Sequence, residues 1–284
     1  MIDEAIAASP NRRSFLKTIG AASAGVAALS MAGVIPAKAA TATEVEVLNF
    51  ALNLEYLEAE FYTYAQYGVG IETLGISVDG QANGGNSASG GTTTGGKKVD
   101  FTNPYTLDIA SQIGSDERQH VILLRSLLGA DKIAKPDINL NALGLETGWL
   151  DDFLRQSRIF EDIGVSAYAG AAGLLTTPAV ITYAARILAA EAEHTASIRT
   201  QIYYLNVSTK ALDGADLIPP PSGPKNEVLS IYVKNGLPAI RTPGEVLYLA
   251  FGAADVSRGG FFPTGVNGKI TESTGPATAA NLQS

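Results

Sequence analysis

Apolar residues recur at three- and four-residue intervals in four stretches of the chain, a period that predicts long amphipathic helices rather than strands. The first stretch, about 44–67, carries Leu48, Leu52, Glu55, Ala59, Tyr62 and Gln66 on one stripe. The second opens at Asn103-Pro104, a capping side chain followed by proline at the first helical position, and closes at Gly129. Its stripe is Ala110, Ile113, Glu117, His120, Leu124 and Leu127. The third, about 149–175, sets Leu154, Glu161, Tyr168 and Leu175 one heptad apart. The fourth starts at Thr177-Pro178, runs to about 205, and aligns Ala184, Ile187, Glu191, His194, Ile198 and Gln201.

The connections arrange these helices. Roughly twenty residues separate the second from the third, and fully extended they reach about 60 Å against about 40 Å for a helix of this length. That suffices to return along a whole bundle, so the second and third helices are expected to be parallel, joined by a long crossover. A tight turn at Thr176-Thr177-Pro178 makes the third and fourth antiparallel. The insertion 68–102 has a centre, 80–98, of almost nothing but Gly, Ser, Thr and Asn, with too few apolar groups to offset the entropy of ordering it. Segments 76–78 and 98–101 are expected to pair as a short hairpin with this loop at its tip. After the fourth helix Ile218-Pro219-Pro220-Pro221 marks a break. The remainder, 211–284, is expected to be an irregular C-terminal extension packing on the bundle, with a strand or helix at 228–233 and a short helix at 245–251. The fold expected is all-α: a four-helix bundle over 40–210 with the insertion and the extension added.

Charge and composition narrow the partners. Asn11-Arg12-Arg13-Ser14-Phe15-Leu16-Lys17 precedes an uncharged, Ala- and Gly-rich stretch from 18 to 36, and Ala37-Lys38-Ala39 has the small-x-small form of a cleavage site. This resembles a bacterial twin-arginine export signal over 1–39. It implies the twin-arginine translocation machinery as a partner, export to the periplasm or beyond, and passage of the chain already folded. Residues 1–39 hold four of the 20 basic and two of the 28 acidic residues, so the rest carries 16 against 26, a net of −10. A surface of that sign repels nucleic acid and anionic lipid. With no cysteine, disulfides, thiolate catalysis and Cys-ligated metal sites are excluded.

The chemistry lies in the histidines. There are two, and each has a glutamate three residues before it: Glu117-Arg118-Gln119-His120 and Glu191-Ala192-Glu193-His194. With glutamate about one residue in twenty, chance gives both pairings roughly once in four hundred such chains. Residues at i and i+3 share a helix face, so each pair projects side by side into the bundle. Glu55 and Glu161 sit mid-stripe on the other two helices. A bare carboxylate there costs several kcal/mol of desolvation unless a cation meets it. Four of them balance two divalent ions in charge, and carboxylate and imidazole ligands without thiolate suit Fe or Mn.

The order Glu, Glu-x-x-His, Glu, Glu-x-x-His over four helices resembles the ferritin-like superfamily, which includes bacterioferritins, rubrerythrins and manganese catalases. The run from Leu48 to Tyr62, LNFALNLEYLEAEFY, is similar to exported ferritin-like and desiccation-related proteins. The resemblance implies two metal ions, with Glu55 and Glu161 as terminal ligands, Glu117 and Glu191 bridging, and His120 and His194 binding one metal each. It also implies that an Asp before each motif glutamate orients the other motif's histidine. Asp116 fills that place for His194, whereas Ala190 leaves His120 to another partner. Tyr62 and Tyr168 are candidates to hydrogen-bond ligand carboxylates. Glu58, Glu60 and Glu193 read as solvated helix charges, though Glu58 lies one turn from Glu55 and within reach as an extra ligand.

The implied activity is redox chemistry on peroxide, dioxygen or ferrous iron in stress protection. The alternative is a non-enzymatic, desiccation-protective envelope protein with a structural metal site. A homo-oligomer is compatible with either; a mineral-storing cage is disfavoured, because the insertion and extension would encumber its packing surfaces.

Overall fold

The computed structural model describes residues 42–83, 85–145, 148–225 and 236–282. Four long helices form the body: α1 Ala42–Tyr67, α2 Pro104–Leu128, α3 Leu150–Ala171 and α4 Pro178–Tyr204. α1 packs chiefly on α2, and α3 chiefly on α4. The Asn103 side chain caps α2 by accepting from the amides of Tyr105 and Thr106 at 2.9 and 3.4 Å. α3 ends four residues earlier than the apolar pattern suggests, because its last turn tightens to a 3₁₀ turn at Ala172–Leu174. At α4 the Thr177 side chain is not the cap. The buried Glu44 carboxylate, from the first turn of α1, accepts from the Thr177 amide at 2.5 Å and the Thr177 hydroxyl at 2.6 Å. A carboxylate there also meets the positive end of the α4 dipole. This contact ties the start of α1 to the α3–α4 turn.

The crossover between α2 and α3 lies against the bundle, its Asp131 carbonyl accepting from Asn49 of α1 and its Leu140 carbonyl from Gln156 of α3, with Ile133, Ala134, Ile138 and Leu140 buried. The insertion is laid along it. Strand β1 Gly80–Gln81 pairs antiparallel with β2 Ser87–Ala88, and β3 Thr93–Thr94 pairs parallel with β4 Ile138–Asn139 of the crossover. This corrects two expectations. Segments 76–78 and 98–101 do not pair: the Val78 carbonyl accepts from the Lys135 amide, and the Val99 amide donates to Ala65, both at 2.9 Å. The glycine-rich centre is also ordered without apolar side chains, because its glycines bring backbone against backbone. A Cβ at Gly80 would lie 2.3 Å from the Ile133 carbonyl carbon, and one at Gly91 2.5 Å from the Asp137 amide nitrogen.

Beyond α4 the chain is pinned by buried ion pairs. Arg158 reaches Asp162 at 2.7 Å and also pairs with Asp216, while Arg199 reaches Asp162 at 3.0 Å. Arg241 holds Asp213 at 2.7 Å and the Ser166 hydroxyl at 2.8 Å. The short helix α5, Pro243–Phe251, opens with a capping box between Thr242 and Glu245 and packs on α3. The element expected at 228–233 lies outside the described residues, as does the export signal at 1–39. Among the described residues no helix is long and apolar enough to cross a membrane.

Candidate metal centre

All six side chains of the sequence pattern meet at the centre of the bundle. Glu55, Glu117, Glu161 and Glu191 are fully buried, and His120 and His194 nearly so. His120 Nδ1 lies 3.2 Å from Glu55, 3.3 Å from Glu117 and 3.6 Å from Glu191. His194 Nδ1 lies 2.9 Å from Glu117 and 3.2 Å from Glu161. The two rings face each other with centroids 6.2 Å apart. Two ligand sets follow, each with one atom per residue and all atoms within 4.8 Å: Glu55, Glu117, His120, Glu191, and Glu117, Glu161, Glu191, His194. Glu117 and Glu191 belong to both.

The surrounding groups orient these side chains. Tyr62 on α1 donates to Glu161 on α3 at 2.5 Å, and Tyr168 on α3 donates to Glu55 on α1. Each tyrosine stands seven residues after the glutamate of its own helix and holds the glutamate of the other. Asp116 meets the outer nitrogen of His194 at 3.4 Å and is itself held through both oxygens, at 2.9 Å each, by Gln112.

Two acidic residues read as solvated are buried. Glu58 is 5 % exposed and turns toward the cluster, where Glu191, Glu117, Glu161 and Glu55 surround it. Its i+3 relation to Glu55 was the available signal. Glu60 is fully buried because the Lys135 ammonium of the crossover reaches it, a partner 75 residues away that no local pattern reveals. Glu193 is exposed, as expected. Gly164 lies on α3 one turn after Glu161, outside the sequence pattern. A Cβ there would lie 2.3 Å from Glu191 Oε2 and 3.4 Å from Glu58 Oε1, so the glycine makes room for both carboxylates. A glycine inside a helix costs about 1 kcal/mol relative to alanine, which was its signal. Beside Glu58 a cavity of about 20 Å³ is otherwise apolar, walled by Leu54, Phe160, Ile163, Val246 and Ala250.

The electrostatics are those of five buried carboxyls crowded around two imidazoles. Burial, and then the neighbouring carboxylates, push Glu58 and Glu191 well above the ordinary carboxylate range. Burial carries Glu55 up to about 7 despite the opposing His120 charge. Burial alone would also raise Glu117, but the two imidazoliums together drive it well below the usual range. Burial would lower His120; Glu55 and Glu117 reverse this and raise it to about 12. His194 is raised likewise, by Glu161 and Asp116 against burial. Despite this crowding, both Glu191 oxygens are buried with no hydrogen-bond partner among the described residues, while Glu117 Oε1 and Glu161 Oε2 are met by His194 Nδ1 at 2.9 and 3.2 Å. Buried polar atoms are normally satisfied. Cations would stabilise such a cluster, and hard oxygen with imidazole nitrogen is a donor set of the kind that suits Fe or Mn.

The family model for the ferritin-like domain matches residues 43–204, more than half of the chain and all four helices of the site. This chain belongs to the ferritin-like family. Among similar proteins, the desiccation-related protein PCC13-62 of Craterostigma plantagineum is 28% identical over 178 residues, 57% of this chain and 53% of that protein. The chain thus spans about half the length of that relative. The ferritin-like catalase Nec2 of Nesocodon mauritianus is 22% identical over 273 residues, covering 80% of this chain and 84% of the relative.

Proposed function

We propose that this chain is an exported carboxylate-bridged dimetal protein that disproportionates hydrogen peroxide. The observation that carries the reading is the pair of overlapping quartets of buried carboxylate and imidazole atoms, in which both Glu191 oxygens have no hydrogen-bond partner among the described residues. Two ions of Fe or Mn, each able to cycle between two oxidation states, would supply the electrons that peroxide alternately takes and gives. Glu55 with His120 and Glu161 with His194 would each hold one ion, and Glu117 and Glu191 would lie between them. The chain's own work is positioning. Tyr62 and Tyr168 fix the two terminal carboxylates, and Asp116 fixes the ring of His194. The likeness to a protein named a catalase favours peroxide over ferrous iron as the substrate.

The twin-arginine motif supports export after folding, which would let the ions be chosen in the cytoplasm before release. Elemental analysis of protein isolated from its own host, followed by a peroxide assay, tests the reading. Two Fe or Mn per chain and oxygen evolution are expected; metal at background level would overturn it. The second reading, a desiccation-protective protein with a structural metal site, is favoured by the likeness to the desiccation-related protein. It predicts bound metal without turnover.

A further inference from the structure

The surroundings of the two histidines are not equivalent, although the ligands are. Both turn Nδ1 inward, toward carboxylates. The outer nitrogen of His194 meets Asp116, one residue before Glu117, and Gln112 clamps both oxygens of that aspartate. The pseudo-symmetric places on α4, one and five residues before Glu191, are Ala190 and Arg186. Neither side chain has a hydrogen-bond acceptor: alanine has no polar atom, and guanidinium only donates. Among the described residues nothing accepts from the outer nitrogen of His120, whose side chain is also the more open, 11% exposed against 6% for His194.

A carboxylate behind an imidazole fixes its orientation and raises its basicity as a ligand, and losing such a partner typically costs 10–100-fold in metal affinity. We infer that the two metal positions are graded: the pole of Glu161 and His194 binds first and tightly, and the pole of Glu55 and His120 binds second and exchanges. Asp116 is the positioning residue that sets the grade. The inference rests on the dimetal reading above. It adds that at limiting metal the protein holds a single ion at the His194 pole, so the His120 pole can take a different metal from solution.

Titration of the metal-free full chain with Mn²⁺, followed by calorimetry and by native mass spectrometry, tests this. Two steps separated by about ten- to a hundredfold in affinity are expected. Asp116→Ala should weaken the first step and leave the second in place, and Asp116→Asn, which keeps an acceptor oxygen, should restore part of the loss. Ala190→Asp should strengthen the second step alone, a gain that a merely structural role for the position would not produce. Two ions binding in one step of equal affinity, or both steps weakening together in Asp116→Ala, would overturn the grading while leaving the dimetal reading intact. Absence of any bound ion would defeat both.

Discussion

Gly164 on α3 stands where any side chain would collide with the Glu191 carboxylate of α4, since a Cβ there would come within 2.3 Å of Oε2. The atom it would meet is the far end of a flexible side chain, so the clash moves Glu191 rather than the helices. Gly164→Ala should therefore fold, with the alanine favouring the helix by about 1 kcal/mol. It should bind metal at least about tenfold more weakly, because the shared carboxylate is displaced. Thermal unfolding without metal and Mn²⁺ titration of the same variant separate the two effects; unchanged affinity would mean that Glu191 is not a ligand.

Tyr62 and Tyr168 each donate to a buried carboxylate on the opposite helix. Hydrogen bonds to charged groups contribute about 1.5–3 kcal/mol. Tyr62→Phe and Tyr168→Phe should each lower the unfolding free energy of the metal-loaded protein by about that amount, measured in urea. A negligible loss in both would mean that the hydroxyls only fill space.

The pH dependence of the metal-free protein follows from the raised carboxyls. Glu55 and Glu60, ordinarily near 4.5, are lifted to about 7 by burial, and Glu58 and Glu191 are raised further. A group that holds its proton more tightly when folded stabilises the fold fully below its unfolded value and loses that contribution as the pH rises through its folded value. His120 and His194, also raised, add a fall in stability above about 6.5. Glu117, depressed, acts in the opposite sense, but its window lies below 4.5. The Tm of the metal-free protein should therefore fall as the pH rises from about 5 to 8. Added Mn²⁺ should raise Tm by an increment that grows with pH, because binding requires the ligands to lose their protons. Circular dichroism melts with and without chelator check both trends; a metal-free protein that gains stability over that range would contradict them.

Away from the centre, Lys135 and Glu60 form a fully buried ion pair between the crossover and α1. Because burial lifts Glu60 to about 7 even with Lys135 in place, Lys135→Ala at pH 8 leaves a buried carboxyl that must stay charged without a partner or take up a proton, at a cost of up to about 3–5 kcal/mol. Urea denaturation at pH 8 should show a loss of up to that size, while Mn²⁺ affinity at the same pH stays within about twofold, since Glu60 belongs to neither quartet. A variant as stable as the parent would show that Glu60 is neutral in the folded chain.

The four helices and the six converging side chains were legible because their signals are local. An apolar stripe, a cap, and a glutamate three residues from a histidine each lie within a few turns of one helix. Burial of Glu58 was half-legible, since it shares a face with Glu55, but choosing between solvent and cluster required the position of Glu191 on another helix. Burial of Glu60 was not legible, because its partner Lys135 arrives on the crossover. The insertion departs from the expected hairpin for a different reason. Composition arguments count apolar side chains, whereas Gly80 and Gly91 order their segment by backbone contacts that need no side chain at all.

The most direct test of the account is anomalous X-ray diffraction from crystals of the full chain grown with Mn²⁺ or Fe²⁺. Two peaks about 3.5–4 Å apart should lie between Glu117 and Glu191, one toward Glu55 and His120 and the other toward Glu161 and His194. No peak among the four helices, in crystals supplied with metal, would contradict it.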